Sequence, residues 1–104
     1  MRSEPPLFAA TLVLRAAVTK PDVLAMIALV LDRAVEGAGT ARPRVTLGED
    51  VWAEVEIPKF GEPPPLAIDV YSTRSDDQAR LEALRLAAQL DAKAGWAVVP
   101  DFPV

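Results

Sequence analysis

The sequence predicts an α+β fold in which two helices lie on one face of a mainly antiparallel sheet. Two segments of the 104-residue chain carry apolar residues at helical spacing, and several shorter segments carry them at every second position. These segments follow one another in the order β-α-β-β-α-β. No repeat or low-complexity tract interrupts them, and the length suits a single domain over residues 1–104.

The first strand is predicted at residues 7–17. Its alternate positions are apolar on both sides, with Phe8 and Leu12 on one side and Val13 on the other. Strands with two apolar sides are usually covered on both faces of a sheet. We therefore expect this strand to lie in the centre of the sheet, buried on both sides.

The first helix is predicted to begin after Thr19 and to end before Gly37. Thr19 is a good N-cap residue, and Pro21 suits the first helical turn. An apolar stripe then runs from Val23 to Val35 at spacings of three and four residues. This stripe predicts a helix that packs one side on the sheet.

The middle of the chain is predicted to supply the next strands. The aliphatic residues within 45–57 all have odd numbers, which is the period of a strand. The polar interruption at 48–50 is either a bulge or a hairpin turn, so an extra strand around 45–50 is one of two alternatives. Three consecutive prolines within 59–65 donate no ladder hydrogen bonds. They predict a stiff connection to the next strand, at 66–72.

The second helix is predicted to begin after Ser75 and to end before Gly95. Ser75 and Gln78 have the spacing of a capping box, in which each side chain bonds the backbone of the other residue. Gly95 suits the left-handed conformation that commonly ends a helix. Residues 96–99 then predict a short last strand, which Pro100 ends.

This element order resembles that of ferredoxin-like sandwiches, and right-handed crossovers favour the same arrangement. The usual strand order of that fold places 7–15 and 66–72 in the centre of the sheet. Acylphosphatases, ACT domains and RNA-recognition domains have a similar order. The chain lacks the asparagine of acylphosphatases, a glycine within 16–19 as in ACT domains, and the basic sheet of RNA-recognition domains. No family is identified from these residues.

Composition excludes several classes of function. The chain has no cysteine and no histidine, which excludes disulfides, thiol nucleophiles, imidazole bases and histidine-ligated metals. The net charge is −4 and the basic residues are scattered, whereas nucleic-acid-binding proteins carry a basic stripe. No apolar segment reaches the roughly 20 residues that a membrane span needs. We expect a cytoplasmic protein that uses no cofactor and binds neither nucleic acid nor membrane.

One face of the predicted sheet carries the candidate functional residues. The alternation of two neighbouring strands brings together Trp52, Glu54, Glu56, Asp69 and Tyr71. Like charges on adjacent strands are unfavourable, so three carboxylates on one face indicate a function. Aromatic side chains beside charged ones suit a protein interface. We expect these residues to bind a partner, and the three carboxylates to be exposed and nearly free of structural duties.

Three alternatives remain open for this face. It is an ordinary solvated surface if Arg15 or Lys59 balances its charge. Paired carboxylates can also act as acid and base in catalysis. Three carboxylates can hold Mg²⁺ or Ca²⁺, although Glu-x-Glu on one strand is a weak signal for either chemistry.

The predicted function is non-enzymatic protein binding. A single acidic domain with few catalytic residues and an acidic, aromatic surface suits a bacterial immunity protein. Such an antitoxin covers the active site of a basic toxin, for example a nuclease. The alternative is a small dimeric enzyme or metabolite-binding protein, with a homodimer formed through the apolar outer side of the first strand.

Overall fold

The computed structural model describes residues 7–56 and 66–103. The predicted connection at 59–65 lies outside the described residues, as does Ile57. Within the described ranges the chain forms six strands and two helices. The strands are β1 (Phe8–Leu14), β2 (Val35–Glu36), β3 (Arg44–Gly48), β4 (Val51–Glu56), β5 (Leu66–Ser72) and β6 (Val98–Pro100), and the helices are α1 (Lys20–Leu31) and α2 (Asp76–Ala94).

The described strands form one antiparallel sheet in the order β2-β3-β4-β5-β1-β6. β1 and β5 pair along their whole length, from Phe8 opposite Ser72 to Leu14 opposite Leu66. Each has a second neighbour, β6 for β1 and β4 for β5, so both are interior strands. The predicted α+β class, with two helices and a mainly antiparallel sheet, is confirmed.

Both helices pack on the same side of the sheet and contact each other. The core between the layers takes alternate residues of the strands and the apolar stripes of the helices. The predicted core residues are all buried, namely Leu12, Ile27, Val30, Ile68, Val70 and Leu86. Their burial shows that the helical and strand faces were correctly identified from the periodicity.

The outer side of β1 is not covered in the way the sequence predicts. Leu7 is 54% exposed and Ala9 is exposed, while Thr11 and Val13 are half-buried. In the described part of the chain both helices lie on the opposite side of the sheet. An apolar alternation identifies a strand, but it does not distinguish a covered face from an apolar face left open.

α1 begins as predicted and ends early. Thr19 and Asp22 form a capping box, in which each backbone N–H donates to the side chain of the other residue. The helix stops at Asp32, which takes a left-handed conformation with φ of 54°; aspartate tolerates this conformation better than most residues. Val35, predicted to end the helical stripe, instead begins β2 and pairs with Val45.

The segment predicted as one strand or two is a hairpin. β3 and β4 are joined by a turn at Glu49 and Asp50, and Asp50 has a φ of 64°. The register shifts between Thr46 and Gly48, which places a bulge beside the turn. The extra strand around 45–50 is therefore present.

α2 is capped at both ends, although only half of the predicted capping box forms. Ser75 Oγ accepts a hydrogen bond from the Gln78 N–H. The Ser75 N–H donates to Ser72 Oγ instead of to the Gln78 side chain. Gly95 ends the helix with a φ of 68°, as predicted. β6 begins two residues later than predicted and includes Pro100.

Candidate functional site

The side of the sheet opposite the helices, here called the open face, carries all five predicted site residues. Residues that lie opposite each other in an antiparallel pair point to the same side of the sheet. Trp52 lies opposite Tyr71, Glu54 lies opposite Asp69, and Glu56 follows two positions further along β4. Within the described residues the open face consists of Ala9, Thr11, Val13, Glu36, Arg44, Thr46, Trp52, Glu54, Glu56, Ala67, Asp69, Tyr71 and Val99.

Two aromatic rings stack on the open face. The ring centroids of Trp52 and Tyr71 are 5.7 Å apart, with an angle of 28° between the ring planes. The guanidinium carbon of Arg44 lies 4.9 Å from the centroid of the Trp52 ring. Stacking and cation–π contacts hold these side chains in defined positions. Both rings are half-buried, so part of each remains accessible to a partner.

Glu54 is not the exposed carboxylate that the sequence predicts. Only 7% of the residue is exposed. Arg42 donates to both carboxylate oxygens, from Nε to Oε1 over 3.0 Å and from Nη2 to Oε2 over 2.9 Å. Trp52 Nε1 donates to Oε2 over 2.8 Å. A buried carboxylate needs such partners. Arg42, which the sequence did not single out, balances the charge of Glu54, while Lys59, one of the two predicted counter-charges of this face, lies outside the described residues.

The ion pair joins a solvent-exposed side chain to a buried one. The side chain of Arg42 is 68% exposed, whereas that of Glu54 is 9% exposed. The hydrogen bonds that Arg42 donates to Glu54, together with the negative charge of Glu54, raise the pKa of Arg42, so the guanidinium stays cationic. The pair connects the segment between β2 and β3 to β4 across the intervening strand.

The other two predicted carboxylates differ from Glu54 and from each other. Asp69 is half-buried, and its Oδ1 accepts a hydrogen bond from Thr11 Oγ1 over 2.7 Å. This bond links β5 to β1. Glu56 is exposed, and the described part of the chain supplies no ion-pair partner for it. Glu56 is therefore the carboxylate that best fits the predicted role.

An apolar strip, formed by Ala67, Val13 and Val99, continues the open face beyond Glu56. Together with Glu56, the three strip residues lie in one row across β4, β5, β1 and β6, each opposite the next. Val99 is 53% exposed, and Val13 and Ala67 are half-buried. Apolar side chains with charged residues at their margin are typical of protein interfaces.

The carboxylates of the open face do not form an evident cation site. Within residues 7–56 and 66–103, no group of three or more acidic side chains lies close enough to hold a metal ion. Glu54 already uses both of its oxygens on Arg42. The two carboxylates that lie opposite each other are both engaged, Glu54 by Arg42 and Asp69 by Thr11, so this pair does not offer a free acid and a free base.

We expect chelation to leave the melting temperature of the purified protein unchanged. A cation that binds only the folded state would raise the melting temperature, and its removal would lower it. Thermal melts with EDTA measure this, and melts with added Mg²⁺ or Ca²⁺ serve as the control. A fall of the melting temperature by more than about 2 °C with EDTA would support a cation site on the three carboxylates.

Tyr71 should titrate at a higher pH than an ordinary tyrosine. Burial raises its pKa, and the negative charges of Asp69, Glu54 and Glu56 raise it further. A tyrosine whose pKa is raised in the folded state stabilises the fold fully below its unfolded pKa of about 10. This contribution to the free energy of unfolding is lost as the pH rises through the folded pKa. The tyrosine of the unfolded state ionises at the lower pH, and its ionisation stabilises the unfolded state.

Absorbance spectroscopy measures this titration directly, since Tyr71 is the only tyrosine of the chain. We expect the tyrosinate band to appear above pH 10 in the folded protein and near pH 10 in urea. The Tyr71→Phe variant should lose less stability above pH 10 than the wild type. An equal alkaline loss in both proteins would contradict the assignment.

A separate pocket of about 270 Å³ lies beside the first turn of α1. Its lining is mostly apolar and consists of Lys20, Pro21, Leu24, Val35, Ala38, Gly39 and Pro43. Sequence reasoning missed this pocket because it placed Val35 in the helix. The pocket forms only because α1 ends early and β2 brings residues 37–43 next to the start of the helix.

No known protein family, curated protein or solved structure matches this chain. No helix in the described part of the chain combines the length and apolar character needed to cross a membrane.

Proposed function

We propose that this chain is a non-enzymatic protein-binding domain whose open face docks a basic protein. In its most concrete form it is a bacterial immunity protein that covers the active site of a toxin such as a nuclease. We place it in the cytoplasm, because the chain has no cysteine and so needs no oxidising compartment for disulfide formation. The observation that carries the proposal is the open face itself, on which stacked aromatic rings, an exposed carboxylate and an apolar strip lie side by side.

The charge of the chain supports a basic partner. The net charge is −4, and a negative surface attracts and orients a positive protein before contact. On the open face the charge of Glu54 is balanced by Arg42, whereas Glu56 and Asp69 form no ion pair in the described residues. An immunity protein needs no catalytic group, because covering the toxin cleft is sufficient.

The strand order supports a ferredoxin-like fold. Without β2 and β3, the order is β4-β5-β1-β6, with β5 and β1 in the middle. This is the arrangement that the β-α-β-β-α-β order favours. The hairpin strand β3 and the short β2 then extend the sheet beyond β4, and the pairs of open-face residues lie on β4 and β5.

Charge reversal at Glu56 tests the proposed function. We expect Glu56→Lys to slow association with the basic partner by roughly tenfold or more, because attraction becomes repulsion at the interface. The partner to test first is the product of the adjacent gene, and the measurement is the association rate at several salt concentrations. Salt should slow the wild type more than the variant, because screening shortens the reach of the charges.

Asp91→Lys is the matched control for this experiment. Asp91 is exposed on α2, away from the open face, and its reversal changes the net charge equally. Tyr71→Ala should weaken binding by more than about 1 kcal/mol if the ring is an anchor. If Glu56→Lys and Asp91→Lys bind and protect cells equally, the open face is not the docking site.

A metabolite-binding protein is the second candidate function. The pocket beside α1 favours it, because about 270 Å³ is close to the roughly 300 Å³ at which small-molecule pockets begin. Its lining is apolar apart from Lys20. The two candidates separate in a thermal-shift screen: a small molecule that stabilises the wild type, but not a variant in which Ala38→Trp places a large side chain on the exposed wall of the pocket, favours the second candidate.

A further inference from the structure

We infer that Glu54 and Trp52 form a binding seat for a guanidinium group. Arg42 fills this seat in the free protein, and an arginine of the basic partner fills it in the complex. The inference rests on the proposed function and names the chemical group by which the open face holds its partner.

Both residues of the seat belong to β4. Trp52 and Glu54 are two positions apart on one strand, so their side chains point to the same side. The bond from Trp52 Nε1 to Glu54 Oε2, 2.8 Å long, fixes the orientation of the carboxylate. A fixed carboxylate with two available oxygens matches the planar fork of a guanidinium. Arg42 shows this geometry with its two bonds of 3.0 and 2.9 Å.

The Arg42 side chain, which occupies the seat, is otherwise largely exposed to solvent. Arg42 belongs to the segment between β2 and β3, and its side chain is 68% exposed. Gly37 and Gly39 of that segment have φ values of 69° and 85°, and the bonds from Thr40 to the Gly37 carbonyl are local. In the described part of the chain, Glu54 is the group that bonds the Arg42 guanidinium. Arg42 can therefore leave when a second guanidinium takes its place.

Burial of Glu54 makes exchange more favourable than simple release. A buried carboxylate that loses its cation is strongly unfavourable, and 9% of the Glu54 side chain is exposed. Docking on the open face excludes further water, so the complex needs a cation on this carboxylate. A partner arginine satisfies that need, and it approaches from the same side on which Glu56 is exposed.

Emptying the seat and refilling it with a small cation tests the inference. Arg42→Ala removes the occupant, and methylguanidinium chloride at up to about 50 mM is the probe. We expect Arg42→Ala to melt at a lower temperature than the wild type. Methylguanidinium should raise this temperature saturably, by roughly 2 °C or more, because it binds the folded state alone. The wild type, whose seat is filled, should show no such rise.

Two controls separate a seat from a general cation effect. Methylammonium carries the same charge without the fork and should stabilise Arg42→Ala less than half as much. The double variant with Arg42→Ala and Glu54→Gln should not respond saturably to methylguanidinium. If Arg42→Ala does not fold, Arg42→Gln, which removes the charge and keeps a donor, is titrated in the same way.

The outcomes distinguish this inference from the proposed function. No saturable rise in the single variant, or equal responses to the two cations, overturns the seat. A seat that fills, combined with unchanged partner binding in Glu56→Lys, keeps the guanidinium seat but refutes both the proposed docking face and the exchange with a partner arginine. Loss of partner binding in Glu56→Lys without a guanidinium response keeps the docking face and refutes the seat.

Discussion

Truncation of Ile68 to alanine should lower the free energy of unfolding by roughly 2–5 kcal/mol. Ile68 is fully buried and lies opposite Leu12 on one neighbouring strand and Val55 on the other, both of them buried. Paired strands on both sides prevent the backbone from closing the cavity that the lost methyl groups leave. Domains of this size are commonly stable by about 5–15 kcal/mol, so this single change removes a large part of the total. Urea unfolding monitored by tryptophan fluorescence measures the loss.

Ile27→Ala should cost a similar amount, because Ile27 is fully buried on the side of α1 that faces the sheet. Leu29→Ala is the matched control on the same helix. Leu29 is 73% exposed, and we expect its truncation to change stability by less than about 0.5 kcal/mol. Losses below about 1 kcal/mol at both Ile27 and Ile68 would mean that the core is wrongly assigned.

The core residues were predictable because burial repeats with the period of each element. Ile27 lies in a stripe of period 3.6, and Ile68 alternates with Asp69 in a pattern of period two. The end of α1 was not predictable in the same way. Val35 continues the helical stripe in sequence, but the left-handed Asp32 turns the chain before it. Pairing of Val35 with Val45 is a tertiary contact that overrides the local pattern.

The sequence was sufficient to predict which residues share the open face, but not which contacts they make there. A period of two was sufficient to place Trp52, Glu54 and Tyr71 on one face. This period gives the side of the sheet on which a residue lies, but it does not show which side chains from other segments reach the same side. Arg42 reaches Glu54 from a segment that follows β2. Since β2 was itself missed, the ion pair that balances Glu54 was missed with it.

The second large effect is expected at Glu54, which the sequence does not distinguish from Glu56. Glu54→Lys places an ammonium group where only 7% of the residue is exposed. The new ammonium group also faces the Arg42 guanidinium, which carries the same charge. The substitution removes the acceptor of the Trp52 Nε1–H. Breaking a fully buried pair costs roughly 3–5 kcal/mol. Because the Arg42 side chain is 68% exposed and can turn into water, we expect the smaller loss of roughly 2–4 kcal/mol at this position.

Two further variants identify the cause of that loss. Glu54→Gln keeps the shape and one acceptor, so it should cost about 1 kcal/mol, the value of a typical hydrogen bond. Glu56→Lys makes the same charge reversal two positions along the strand, at an exposed side chain, and should cost about 0.5 kcal/mol or less. If urea unfolding shows equal small losses for both lysine variants, Glu54 is a surface carboxylate after all. A large loss at Glu54 alone means that the Arg42–Glu54 ion pair is part of the fold, so partner-binding experiments must reverse the charge at Glu56 and leave Glu54 intact.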